Sequence, residues 1–267
     1  MHPLGYLLSI LIGISLGLIG GGGSIMTVPV LVYVFGIKPT LATGYSLFIV
    51  GIAAFIGSIK YFNNKLISLQ IAFYFSIPSL VAIAVTRKLL MPLIPEKIFE
   101  FSNFVFTKDV LILVVFAIIM IASAKSMIRS RSADIQEAKV GEERHISKVM
   151  LDGLVVGILT GLLGIGGGFL IIPVLVVLAR LPMKIAIGTS LLIIAINSFV
   201  GFTIDVFSNV QIDYKFLLMI SLFSVSGIFI GFEFGKKIHG DKLKPAFGWF
   251  ILAMGIYILV REIFLRD

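Results

Sequence analysis

The residues placed to do chemistry in this chain are glycines and small hydroxyl side chains, and they occur in two matched sets. One segment reads GLIGGGGS from Gly17 to Ser24 and leads into PVLV from Pro29 to Val32. A second reads GLLGIGGG from Gly161 to Gly168 and leads into PVLV from Pro173 to Val176. At an offset of 144 the two copies align without a gap from Gly17/Gly161 to Gly57/Gly201, and 17 of those 41 pairs are identical. A run of glycines weakens a helix, so each cluster predicts a helix interrupted inside an apolar stretch. The half-helix after such a break starts with N–H groups that lack intrahelical acceptors, and its dipole presents positive potential there. Without a Cβ in the way, an anion can reach those N–H groups. The chemistry implied is anion binding by backbone, needing no buried Lys or Arg. Candidate ligand-binding residues are therefore Gly20, Gly21, Gly22, Gly23 and Ser24 in the first copy. Gly164, Gly166, Gly167 and Gly168 are their counterparts in the second.

A second matched element follows each cluster: ATGYSL from Ala42 to Leu47 and AIGTSL from Ala186 to Leu191. Ser46 and Ser190 are equivalent, and Thr43 lies one turn before Ser46 on the same face. A hydroxyl in an apolar helix either bonds back to its own carbonyls or serves a partner. The paired serines read as ligand or interhelix contacts, and Thr43 and Thr189 join them as candidates. Asn197 stands opposite Ala53, so it either makes the site asymmetric or ties two helices together.

Other motifs fail on context. The cluster at Gly20 lacks the Lys-Ser/Thr ending of a phosphate loop, and no strand precedes it. Gly13 to Gly17 spells the Gly-x-Ser-x-Gly of serine hydrolases. However, the only histidines are His2, His145 and His239, all outside the apolar runs, so no base is available at depth. The chain has no cysteine, which excludes thiol catalysis and Cys-ligated zinc. No enzyme activity, cofactor or metal is expected. Asp152, Asp205 and Glu233 lie at the ends of apolar runs and read as interfacial charges, each a protonation site if it faces a cavity. No basic residue falls inside an expected span.

These groups have to be held by membrane helices. Hydrophobic residues make up 58% of the 267 and charged residues 13%, about half the charged share of a soluble domain. Uncharged runs of 21, 21, 20, 17 and 16 residues follow Lys38, Lys65, Lys184, Lys215 and Lys244, each near the ~20 that a crossing needs. Val110 to Ala124 adds a shorter one of 15 residues. Nothing alternates as membrane-barrel strands would. The expected fold is all-α and polytopic, with about eight transmembrane helices in two repeats. These occupy residues 1–124 and 149–267, joined by a polar linker at 125–148. The formal charge of +8 sits in short loops and carries topology rather than nucleic-acid binding.

Pro3 to Ile37 is 35 residues without a charge. As one helix it would extend about 50 Å, well beyond a ~30 Å hydrocarbon core. Each glycine-broken stretch is thus either a broken crossing or a hairpin that returns to its own side. If each makes one crossing, the 22 basic residues divide 11 to 11. If each returns, the repeats become inverted and 14 basic residues, with the linker, collect on one side against 8. The positive-inside rule favours the second arrangement, with the linker cytoplasmic. Inverted repeats around a midplane site are a common transporter architecture.

The glycine element, the Pro-Val-Leu segment and the Ala-x-Gly-x-Ser-Leu element, present in both halves, resemble the sulfite exporter TauE/SafE family over essentially the whole chain. Gly21 stands where the second copy has Ile165, and Ser24 where it has Gly168, so each copy meets the family spacing imperfectly. The resemblance implies a multi-pass permease of the inner cell membrane. Its partners would be the lipid bilayer and a small anionic substrate: sulfite, an organosulfonate such as sulfoacetate, or a related oxoanion. Proton coupling, direction of transport and oligomeric state stay open. The alternatives are an uncoupled anion channel and a permease for a non-sulfur anion.

Overall fold

The computed structural model describes residues 3–101, 104–129, 146–163, 168–207, 212–238 and 240–264. The first half begins with α1 (Pro3–Ile19), a break, and α2 (Gly22–Pro29), which runs on as a π-helical turn, Val30–Val34. α3 (Pro39–Asn63) follows, then α4 (Leu69–Val85), continued through a π turn, Thr86–Leu90, to Leu93. After a short hairpin comes α5 (Lys108–Arg129). The second half repeats the order. α6 is Ile146–Leu163, and α7 is Gly168–Pro173 with its π turn Val174–Leu178. Next come α8 (Met183–Val206), α9 (Tyr214–Lys237) and α10 (Gly240–Phe264).

Both π turns after the glycine breaks start directly behind Pro29 and Pro173. Proline has no N–H to close the i→i−4 ladder, and the local winding loosens there. Among the described residues, five helices are long and apolar enough to cross a membrane: α3, Leu69–Leu93, α8, α9 and the Pro245–Glu262 portion of α10. This is a multi-pass helical membrane protein. One short region departs from the all-α expectation. β1 (Lys97–Phe101) and β2 (Phe104–Thr107) form an antiparallel hairpin pairing Lys97 with Thr107 and Phe101 with Phe104. KIFEF and FVFT are aromatic and β-branched, and they alternate over too few residues to register against the long apolar runs.

The first glycine break makes a hairpin. A Cβ on Gly23 of α2 would meet the Ile12 carbonyl oxygen of α1 at 2.3 Å. Farther from the bend, a Cβ on Gly5, near the start of α1, would lie 2.2 Å from the ring of Phe35, just past the end of α2. The chain therefore returns alongside itself, as one of the two readings of the 35-residue stretch requires.

The halves interlock by exchanging their first helices. α1 packs along α9 of the other half, and α6 packs along α4; α3 pairs with α8 and α5 with α10. Small residues set these distances. A Cβ on Gly13 would sit 1.8 Å from the Ser224 carbonyl oxygen, and one on Gly157, its repeat counterpart, 2.5 Å from that of Ser79. With no hydrophobic drive between helices in lipid, such close backbone approach supplies the dispersion contact that holds them. The matched pair also makes Ser79 and Ser224 equivalent, an offset of 145 beyond α3.

The central pair runs antiparallel. The start of α3 lies against the end of α8, since a Cβ on Gly44 would touch the Asp205 carboxylate. The start of α8 lies against the end of α3, since one on Gly188 would touch Tyr61. Gly51 meets Ser198 between them.

Gly13→Ala is expected to destabilise the protein by about 1–3 kcal/mol, because backbone on the facing helix has nowhere to move. Gly235→Ala, whose nearest neighbour would be at 3.6 Å, should be neutral or slightly stabilising. Melting temperatures of the two variants in detergent check the contrast, and equal values would contradict the α1–α9 packing.

Candidate functional site

The first glycine break meets the start of α7. Gly20 turns the chain between α1 and α2 in the left-handed region, at φ +79°, which an L side chain rarely adopts. Beside it, a Cβ on Gly21 would lie 2.3 Å from the carbonyl oxygen of Gly168, the first residue of α7. A Cβ on Gly168 would in turn lie 2.9 Å from Ser24 Oγ and 3.2 Å from Gly21 Cα. Gly21 therefore faces backbone and only glycine fits there, whereas a Cβ on Gly168 would first meet the side chains of Ile194, at 2.7 Å, and Ser24. The start of α2 has no side-chain cap. Gly164, Gly166 and Gly167 lie outside the described residues.

The hydroxyls distribute differently from their equivalence in sequence. Ser190 sits at the junction, 2.8 Å from where a Gly20 Cβ would be, and its Oγ donates to the Ile187 carbonyl at 2.8 Å. Ser24 Oγ donates to the Gly21 carbonyl at 2.7 Å. Both back-bond as membrane hydroxyls commonly do, leaving their oxygen lone pairs unspent. Ser46 is fully buried, and its Oγ has no partner among the described residues. Thr189 Oγ1 accepts from the Ser68 N–H at 2.9 Å, holding the start of α4 against α8. Asn197 ties the same helices, its Nδ2 donating to Ser79 Oγ at 2.8 Å while its Oδ1 has no partner among the described residues. Gly20, Gly21, Ser24, Gly168 and Ser190 thus converge, whereas Thr189 and Asn197 clamp α8 to α4.

Thr43 belongs to a second feature that sequence reasoning missed. It lines a cavity of about 200 Å³ together with Thr40, Tyr45, Arg87, Phe202 and Asp205. The expectation of no basic residue inside a span is overturned: α4 continues to Leu93 and carries Arg87 buried within it. Its Nη1 donates to Asp205 Oδ2. Asp205, read from sequence as an interfacial charge, faces this cavity from the end of α8. A charge that ends an uncharged run looks like a boundary in sequence; here partner and cavity allow the helix to continue past it.

The repeat supplies the signal that would have exposed the pair. Extended by four residues, the offset of 144 puts Tyr61 opposite Asp205, and the offset of 145 puts Phe232 opposite Arg87. These two aromatics pack edge to face, centroids 4.8 Å apart, in the place that corresponds to the ion pair. Tyr61 donates to the Gly17 carbonyl at 2.9 Å, and Lys236 Nζ lies 4.6 Å from the Phe232 ring centroid. Both ends of the α3–α8 pair are therefore built on one plan, with aromatic side chains at one end and charges beside a cavity at the other.

Internally repeated, multi-pass helices with broken segments meeting in the interior define a membrane transporter class. Comparison with known proteins agrees. The profile of the family described as sulfite exporter TauE/SafE matches residues 6–258, and the chain belongs to that family. A probable membrane transporter protein of Xylella fastidiosa is 27% identical over 257 residues, covering 94% of this chain and 92% of that relative. Another from Methanocaldococcus jannaschii is 27% identical over 277 residues, covering 97% and 95%. The probable membrane transporter protein YunE of Bacillus subtilis is 25% identical over 254 residues, covering 88% and 89%. No solved structure matches.

Asn197→Leu should cost about 1–3 kcal/mol, since it leaves Ser79 without its buried partner. Ser79→Ala combined with Asn197→Leu should recover part of that loss. A double-mutant cycle of detergent melting temperatures measures it, and strict additivity would rule out the clamp.

Proposed function

We propose that the protein is a secondary transporter carrying a small sulfur-containing anion, such as sulfite, sulfoacetate or a related oxoanion, across the inner membrane. The observation that carries this reading is the contact between Gly21, at the uncapped start of α2, and Gly168, at the start of α7. Two helix starts brought together place like partial charges side by side, which is unfavourable until an anion lies between them. The glycines that permit this approach leave the backbone N–H groups reachable. Ser24 and Ser190 supply hydroxyls at this junction, Ser46 is a further buried hydroxyl and Thr43 one beside the Arg87 cavity, and a hydroxyl can turn its proton from its own carbonyl to an anion. Asn197 sets the relative position of α4 and α8 around that interior. The sulfur oxoanion comes from family membership; the backbone geometry suits any small anion.

The repeats are inverted on this reading. Each half contributes one glycine-broken hairpin and three crossings, eight membrane-embedded units in all. Support comes from α3 and α8, equivalent helices that run antiparallel, as a two-fold axis in the membrane plane requires. Residues 1–124 and 149–267 then form the two halves, and 125–148 is a cytoplasmic linker. With the linker inside, the cavity beside Arg87 opens on the outer face, and the Tyr61–Phe232 contact closes the cytoplasmic end. Rocking of the halves about the glycine junction would exchange the open and closed ends. No catalysis, cofactor or metal enters this mechanism.

A thermal-shift panel of sulfite, sulfate, thiosulfate, sulfoacetate, taurine and chloride on purified protein tests the reading. At about 100 times its Kd, a true ligand adds roughly 2.7 kcal/mol of stability. At least one sulfur oxoanion should therefore raise the melting temperature well beyond chloride at equal ionic strength. If none does, the substrate assignment fails. Flux into proteoliposomes that depends on an imposed proton gradient separates a coupled transporter from an anion channel.

A further inference from the structure

We infer that the Arg87–Asp205 cavity is an oxoanion-binding subsite, where an incoming sulfonate, sulfite or sulfate group takes the Arg87 guanidinium from Asp205; this rests on the anion-transport reading above. Arg87 has only 4% of its side chain exposed, whereas Asp205 has 22%. The cation is thus held inside, and the carboxylate is the more accessible partner. Only Nη1 of the guanidinium is engaged: Nε and Nη2 are buried and have no acceptor among the described residues. An Arg left with donors at Nε and Nη2 retains one edge of its fork, the geometry that pairs two oxygens of a planar or tetrahedral oxoanion. Thr40 and Thr43 line the same cavity of about 200 Å³ and add hydroxyls.

The pair is not required by the fold. At the equivalent place between the repeat-related helices α3 and α9, Tyr61 and Phe232 pack edge to face where the other half has the ion pair, and Lys236 lies over the Phe232 ring. A buried ion pair is commonly no more stabilising than well-packed apolar residues, because desolvating two charges offsets their attraction. Where the scaffold has an aromatic solution available, an ion pair with unfilled donors beside a cavity serves a ligand. Asp205 keeps the empty site neutral, and it competes with the anion for Arg87. Room for its carboxylate comes from Gly44, whose Cβ would lie 2.7 Å from Asp205 Oδ2.

Competition gives the subsite a signature that a purely structural ion pair lacks. Anion affinity is measured by isothermal titration of sulfite, sulfoacetate and sulfate into purified protein in detergent, for wild type, Asp205→Asn, Arg87→Gln and Arg87→Gln/Asp205→Asn. Asp205→Asn is expected to tighten binding of the preferred anion at least threefold, by removing the competitor while leaving an amide to hydrogen-bond Arg87. Both variants lacking Arg87 are expected to weaken it at least tenfold. The double variant, which carries no unpaired charge, is judged only if it elutes as wild type does on size exclusion. If it misfolds, the Asp205→Asn result decides alone. Wild-type binding that persists unchanged in the double variant overturns the subsite but leaves anion transport through the glycine junction standing. Weaker binding in Asp205→Asn overturns the competition and with it the subsite. No binding of any anion to wild type or to Asp205→Asn overturns the anion reading itself.

Discussion

Backbone polar groups at membrane depth must be satisfied by the protein, and that constraint bears on the start of α2, which has no side-chain cap. A helix that ends inside the hydrocarbon region exposes N–H groups that lipid cannot bond. At Gly22, α2 folds back onto α1 and its start abuts Gly168 of the other half, so protein surrounds that helix start. The exchange of α1 onto α9 and of α6 onto α4 accompanies the meeting of Gly21 and Gly168 in the interior.

Close packing of small residues makes that exchange possible. Gly13, Gly17 and Gly227 bring α1 and α9 into backbone contact, and Gly153, Gly157 and Gly161 do the same for α6 and α4. In the middle, α3 and α8 meet as an antiparallel pair. Equivalent positions along it face different neighbours: Gly44 faces a carboxylate and Gly188 an aromatic ring. A repeat that keeps its backbone plan while changing side chains has chemically unlike ends along the α3–α8 pair.

The glycine junction was largely legible in the sequence. A 35-residue uncharged stretch cannot lie as one helix in a bilayer, and a gapless repeat indicates that the two interruptions are related. Ser190 stood out through its match with Ser46, and Ser24 as the residue that closes the first glycine cluster. The Arg87 cavity was not legible. Its residues come from the start of α3, the end of α4 and the end of α8, each at a position that sequence assigns to an interface. Asn197 was readable only as one of two roles, because its hydrogen-bond partner Ser79 is 118 residues away.

Sequence by itself determined that this is a helical membrane protein with an internal sequence repeat and two glycine clusters, because hydropathy, charge placement and glycine clustering act locally along the chain. It also determined the family, through motifs that recur in both halves. Tertiary structure alone decided that the first break forms a hairpin, that Gly21 meets Gly168, and that Arg87 remains buried. Each of these depends on which distant backbone occupies the space beside a residue. Desolvation cost rules out a buried arginine unless a partner such as Asp205 is delivered to it by another helix.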